Sequence, residues 1–378
     1  MASLRKDRVV SVDFWRGIAL ATIFIDHIPG TLLAGWTPRN FGFSDAAEIF
    51  VFLAGVAASF AYARHFQGSG VLRQTFKISL RAFALYTAHI VVLVLCGGVI
   101  AYTSLAMQDP RILELMQFDL VAKDPMPALI GIATLTFQPS NLNILPLYIV
   151  ILAMAPVLIG CMRFDMRLAL VGSGTLYLAA QFFGLTLPSY PTPDAWFFNP
   201  LAWQFLFTLG LCSGALMDAG KTLPTNRVLA AICVVYLAVS AVLVHGNFIG
   251  TYDLSPLPRF LWDQDKTNLA LPRLLHFAAL AYLITRLPVD RWIREHQAFS
   301  PLTWMGRHSL PVFSLGIVAS MVGQGVGIVY GHDMTLDFAL IGAGLALQIG
   351  LGWVLEWQKT GSSNLAPVPA ERPVAPAS

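Results

Sequence analysis

The segment FWRGIALATIFIDHIPG sets Arg16 and His27 eleven residues apart. That is close to three helical turns, so a single face carries both with about 16 Å between them. They cannot touch each other, but one elongated ligand can reach both. Asp26 adjoins the imidazole, and FGFSDAAEIFVFLAG puts Asp45 and Glu48 one turn apart. A histidine beside carboxylates, shielded from bulk water, suits proton abstraction from a hydroxyl. The acid would hold the imidazole in one tautomer and stabilise its charged form as the proton arrives.

Further polar residues stand where apolar ones dominate. Asn141 and Asn143 open one apolar run, Gln204 follows Asn199 in a second, and Arg273 and His276 come early in a third. All fall at the level of His27 and suggest one polar chamber, with amides to meet an oxyanion or an acceptor. Arg16, Arg81, Arg307 and His308 belong to the opposite half, a cationic zone suited to a phosphate-bearing donor. Together the two zones describe acyl transfer from a carrier on one side to a hydroxyl on the other. Plainer roles fit the same residues. Asp45 and Glu48 have the spacing of a capping box, and Asn141 and Asn143 of helix caps. Arg16, Arg81 and Arg307 can snorkel to headgroups, and His276 and His308 can be satisfied bundle histidines. Trp196 and Trp262, with Tyr190 and Tyr252, can form an interfacial belt.

These residues need a scaffold, and composition decides its kind. Of 378 residues 56% are hydrophobic and 12% charged, against about a quarter charged in a soluble domain. Apolar runs of this length require a bilayer. A net charge of +3, with no basic stretch interleaved with aromatics, excludes nucleic acid as a partner. Cys96, Cys161, Cys212 and Cys233 lie in apolar stretches without metal-ligand spacing and read as packing residues, so no metal site is expected. No cleavage site follows the first apolar run, which therefore stays in the membrane.

The expected fold is an all-α polytopic membrane protein of ten transmembrane helices, near 14–34, 45–63, 78–103, 142–162, 166–187, 199–219, 226–246, 269–286, 309–330 and 336–357. The short stretch 127–137 is read as re-entrant or interfacial, since about 11 residues cannot cross. With both termini cytoplasmic, fifteen Lys and Arg residues fall inside and only Arg39, Arg111, Lys123, Arg259 and Lys266 outside. An eleventh span would reverse every later loop and spoil that asymmetry. Residues 1–358 form a single membrane domain, and 359–378 a disordered cytoplasmic tail with too little apolar content to fold. The absence of an internal repeat weakens an inverted-repeat transporter reading.

The motifs VDFWRGIALATIFIDHIPG, TPRNFGFSDAAEIFVFLAG, LNILPLYIV, FNPLAWQFLFTLG, LALPRLLHFAALAYL and MGRHSLPVFSLG resemble, in this order, the OpgC family of membrane proteins that succinylate osmoregulated periplasmic glucans. That family is related to the acyltransferase-3 enzymes, whose first span carries Arg, ten residues, then His. The resemblance implies that His27 is catalytic and that Arg16 binds the donor or holds the helix. It leaves open which of Asp45 and Glu48 supports the histidine. It implies succinyl-CoA as donor substrate with no bound cofactor, a periplasmic glucan as acceptor, and the bacterial inner membrane as location. Trp196 and Trp262 would stack on sugar rings. Direct transfer and a succinyl-histidine intermediate are equally open. One departure is visible: the family segment commonly reads FVFLSG, and Ala54 here replaces the serine. The alternatives are a transporter or flippase for an organic anion or glycan, and an acyltransferase of different acyl group or acceptor.

Overall fold

The computed structural model describes residues 9–191, 196–250 and 253–363. Every regular element among them is a helix. The bundle is built by α1 (Val10–Asp26), α2 (Ala46–Tyr62), α3 (Gly70–Met107), α4 (Ile144–Phe164), α5 (Met166–Phe183), α6 (Pro200–Asp218), α7 (Arg227–His245), α8 (Leu271–Ile284), α9 (Ser300–Arg307), α10 (Ser309–Tyr330) and α11 (Met334–Ser363). Seven of these, α2, α3, α4, α6, α7, α10 and α11, are long and apolar enough to cross a membrane. Helices α1, α5 and α8 occupy the other three expected positions and fall short of that measure, α1 with 17 residues and α8 with 14.

The shortness of α1 has a local cause. Expected over 14–34, the helix starts at Val10 and stops at Asp26. His27 is followed by Ile28, Pro29 and Gly30, and Gly30 has φ +89°. Proline cannot supply the next helical N–H, and the left-handed backbone favours glycine. The chain continues in two 3₁₀ turns, Leu32–Trp36 and Pro38–Asn40. His27 is therefore the C-cap of α1, with its ring at the helix end.

Over the expected 127–137 the chain forms a nine-residue helix, Pro125–Ala133. At about 13 Å it is too short to cross a bilayer. It closes at Leu135, φ 63°, where the N–H groups of Thr136 and Phe137 both donate to the Gly131 carbonyl. At the other end of the chain, α11 runs through residues 359–363, the first part of the expected tail. Residues 364–378 of that tail, the basic residues Arg5, Lys6 and Arg8, and Tyr252 lie outside the described residues.

Glycine sets the closest helix contacts. A Cβ on Gly55 of α2 would run into the Phe207 carbonyl of α6, and one on Gly210 of α6 into the Phe52 carbonyl of α2. The pair α1 and α9 repeats the arrangement: Gly17 faces the Leu302 carbonyl, and Gly306 the Asp13 carbonyl. Where lipid offers apolar side chains no advantage, such backbone approach is what binds helices together. Trp203, Leu206 and Phe207 of α6 and Leu147, Ile151 and Leu152 of α4 are fully buried beside these seams.

Candidate active site

Two polar regions lie along α1 and α2, which run antiparallel. Near one end, the Arg16 guanidinium donates to the Leu53 carbonyl of α2 at 3.2 Å. Eleven residues on, His27 is acted on electrostatically by Asp45, Lys266 and Arg39.

The region at His27 is an ion cluster. Asp45 is the N-cap of α2, and the capping box is complete. The Asp45 carboxylate accepts the Ala47 N–H at 2.8 Å, and Glu48 Oε2 accepts the Asp45 N–H at 2.8 Å. The same carboxylates also carry ion pairs. Arg273 Nε donates to Glu48 Oε1 at 2.8 Å and its Nη2 to Asp45 Oδ2 at 3.2 Å, while Lys266 Nζ reaches Asp45 Oδ2 at 2.6 Å. Glu48 is 0% exposed, a burial that a carboxylate tolerates only when paired and hydrogen-bonded. Capping and charge pairing hold at once, because the two carboxylates offer enough lone pairs for both.

The half-buried His27 ring is held differently from the sequence expectation. Neither Asp45 nor Glu48 bonds to it. Its Nδ1 lies 2.5 Å from the Ile23 carbonyl, which can only accept, so Nδ1 carries the proton and Nε2 is left as the basic nitrogen. The Ile23 carbonyl also accepts the His27 backbone N–H at 3.1 Å, so the ring takes the second lone pair of an oxygen that closes the last turn. The His27 carbonyl in turn accepts from Gln324 Nε2 of α10 at 2.6 Å. Asp26 faces elsewhere, accepting the Thr37 hydroxyl at 2.5 Å and lying 3.4 Å from Arg39 Nε.

The second region is a cavity of about 140 Å³ lined by Arg16, Arg81, Tyr62, Tyr148, Phe50 and Phe313, among others. Along α2 its wall runs from Phe50 through Ala54, Ala57, Ala58 and Ala61 to Tyr62, twelve residues or about 18 Å. Its Phe50 end lies two residues from Glu48 along α2. Phe50 there packs against Phe313, with ring centroids 5.9 Å apart. Ala54, the departure from FVFLSG, is on this wall.

Arg16 and Arg81 thus line the cavity together, and Arg307 and His308 do not line it. Arg307 Nη1 donates to Glu356 Oε1 of α11 at 2.6 Å, and His308 Nε2 lies 3.0 Å from Glu356 Oε2. His276 Nδ1 accepts the Ser44 N–H at 3.3 Å, beside the ion cluster. Gln204 is spent within the bundle: its Nε2 donates to the Ser173 and Leu201 carbonyls and its Oε1 accepts the Ser173 hydroxyl. No free amide donor for an oxyanion remains there. Asn141, with φ 67°, and Asn143, the N-cap of α4, form no side-chain hydrogen bond among the described residues. Trp196 is 4% exposed, its indole N–H donating to the Pro188 carbonyl at 3.1 Å, which leaves little ring surface for a sugar. Trp262 is half-buried, with its N–H on the Leu257 carbonyl at 3.1 Å.

Sequence reasoning missed four participants. Lys266 counted only as an outer-loop charge, although its place in WDQDKTN, beside two acids, marks it as a charge to be paired. Asp13, 2% exposed, lies 3.7 Å from Arg307 Nε and 4.0 Å from Arg16 Nη1, and it stands in the VDFWRG motif three residues before Arg16. Tyr148 and Glu356 gave no local signal, since only the fold brings them to an arginine.

A comparison with curated proteins returns no match. A comparison with family models matches the OpgC protein family over residues 8–360, a range that takes in α1, the ion cluster, the cavity and all but the last three residues of α11. The chain belongs to the OpgC protein family.

Proposed function

We propose that this protein is a membrane O-acyltransferase that moves a succinyl group from cytoplasmic succinyl-CoA to glucose hydroxyls of periplasmic glucans, in the bacterial inner membrane. Family membership supports a glucan succinyltransferase-type role. One observation carries the finer reading: a cavity bearing Arg16 and Arg81 runs along α2 and ends at Phe50, two residues from Glu48 of the ion cluster. Its volume is below the 300 Å³ or so of a pocket that engulfs a compact ligand, and its run of about 18 Å along α2 suits a slender chain better than a sugar.

In this reading the donor's phosphates meet Arg81 and Arg16, and its pantetheine arm lies along the alanine wall with the thioester beyond Phe50. His27 Nε2 takes the proton of the glucan hydroxyl while that oxygen attacks the thioester carbonyl carbon. The carbon–sulfur bond then breaks, and the coenzyme thiolate leaves and takes a proton. The Ile23 carbonyl keeps Nδ1 protonated, which leaves Nε2 to take the proton. Asn141 and Asn143 are the remaining side-chain amides for the oxyanion, a contribution of about 10²–10³ in rate. Ten spans with both termini cytoplasmic give the cavity and the His27 cluster opposite aqueous sides.

The test is protein reconstituted in liposomes with labelled succinyl-CoA and a linear glucan. Covalent label on the sugar supports the enzyme. Unmodified solute crossing the bilayer with no label transferred would make the protein a carrier.

A further inference from the structure

His89 of α3 is 0% exposed, and neither ring nitrogen has a hydrogen-bond partner among the described residues. Leaving a buried donor and a buried acceptor unpaired costs about 1–3 kcal/mol each, and such groups are rare in folded proteins. An apolar residue of similar volume would avoid that cost, so the imidazole calls for a ligand in the working protein.

Its position limits what that ligand is. Arg81 and Leu85 line the cavity, and His89 follows Leu85 by one turn on the same buried face of α3. From Arg81 to His89 is about 12 Å along the helix, against about 16 Å from Arg16 to His27. His89 does not line the cavity in this structure; a donor with its phosphates at the arginines and its thioester at His27 meets the ring where its arm extends the cavity one turn beyond Leu85. A neutral imidazole offers one N–H donor and one bare nitrogen. The complementary group is an amide, with one carbonyl and one N–H, and the pantetheine arm contains two of them.

We infer that His89 is a positioning residue that hydrogen-bonds an amide of the acyl donor's pantetheine arm. The inference rests on the coenzyme A donor reading above and adds to it a site in mid-membrane. The hydrophobic wall of the cavity gives the arm no register; His89 supplies one, fixing how far the thioester advances toward His27.

The test uses full-length protein in lipid nanodiscs with coenzyme A as the probe. His89→Leu removes both nitrogens and should bind coenzyme A about tenfold more weakly, the worth of one hydrogen bond to a buried partner. Its unfolding temperature should be unchanged or raised, since two unpaired groups are gone. His89→Gln keeps a donor and an acceptor and should stay within about threefold of wild type. If Leu fails to insert, Phe fills the same space and takes its place. Wild-type affinity in the apolar variant overturns the inference while leaving the donor reading intact. An equal loss in the Gln variant, or a lowered unfolding temperature in both, makes His89 a packing residue and also overturns it. Failure of the wild-type protein itself to bind coenzyme A sinks the donor reading.

Discussion

His27 and Ile23 form a side-chain to backbone pair, Nδ1 to carbonyl oxygen, at 2.5 Å across the last turn of α1. In the proposed reaction the carbonyl takes the orienting part that a carboxylate takes in a catalytic triad, without adding charge. The basic nitrogen is thereby fixed as Nε2 whatever happens to Asp45 and Glu48. His27→Ala should lower glucan succinylation at least a hundredfold and leave membrane insertion intact, because Gln324 holds the His27 backbone and not the ring. Transfer to a linear glucan by purified protein checks this, and a wild-type rate in the variant removes the base from the mechanism.

Arg273 neutralises a carboxylate with no exposure. Arg273→Met should therefore destabilise the protein by about 3–5 kcal/mol, the cost of stranding a buried charge. Glu48→Gln on top of it should recover part of the loss, a non-additivity expected of directly paired residues. Thermal unfolding of the two variants in one detergent gives both numbers.

Arg16 and Arg307 both lie 4.0 Å or less from Asp13 but differ in what else they touch. Arg16→Ala opens the cavity wall and should raise the KM for succinyl-CoA about tenfold or more, the value of a charge-assisted hydrogen bond. Arg307→Ala breaks a tie to Glu356 of α11 and should leave that KM unchanged. Steady-state kinetics against donor concentration separate them; equal rises in both would place Arg307 in the donor site.

Gly210→Ala pushes a methyl group into the Phe52 carbonyl, and a backbone oxygen cannot swing away. A loss of about 1–3 kcal/mol or more is expected. Gly172→Ala in α5 meets open space and should be neutral or slightly stabilising, since alanine is the better helix former. Unfolding temperatures compared side by side give the contrast.

Much of the fold was legible because apolar runs must become helices in a bilayer. The ten expected spans all overlap helices, seven of them long and apolar enough to cross a membrane. What could not be read was where the chain stops being helical near a functional residue. Pro29 and Gly30 were visible in the sequence, yet apolarity carried the first span past them and hid the C-cap at His27. Pairing was equally hidden. Whether Glu48 supports His27 or answers Arg273 depends on α8, 225 residues away, and whether Arg307 faces a cavity or Glu356 depends on how α11 docks. Gln204 looked like a free amide only because Ser173 on the neighbouring helix is invisible to local spacing.

The wall that α2 gives the cavity is made of Ala54, Ala57, Ala58 and Ala61 between two aromatic ends. A methyl group has no rotamers, so this passage cannot breathe by side-chain rearrangement along that flank. Its calibre is written into the backbone and can change only by whole-helix movement or by mutation, one carbon at a time.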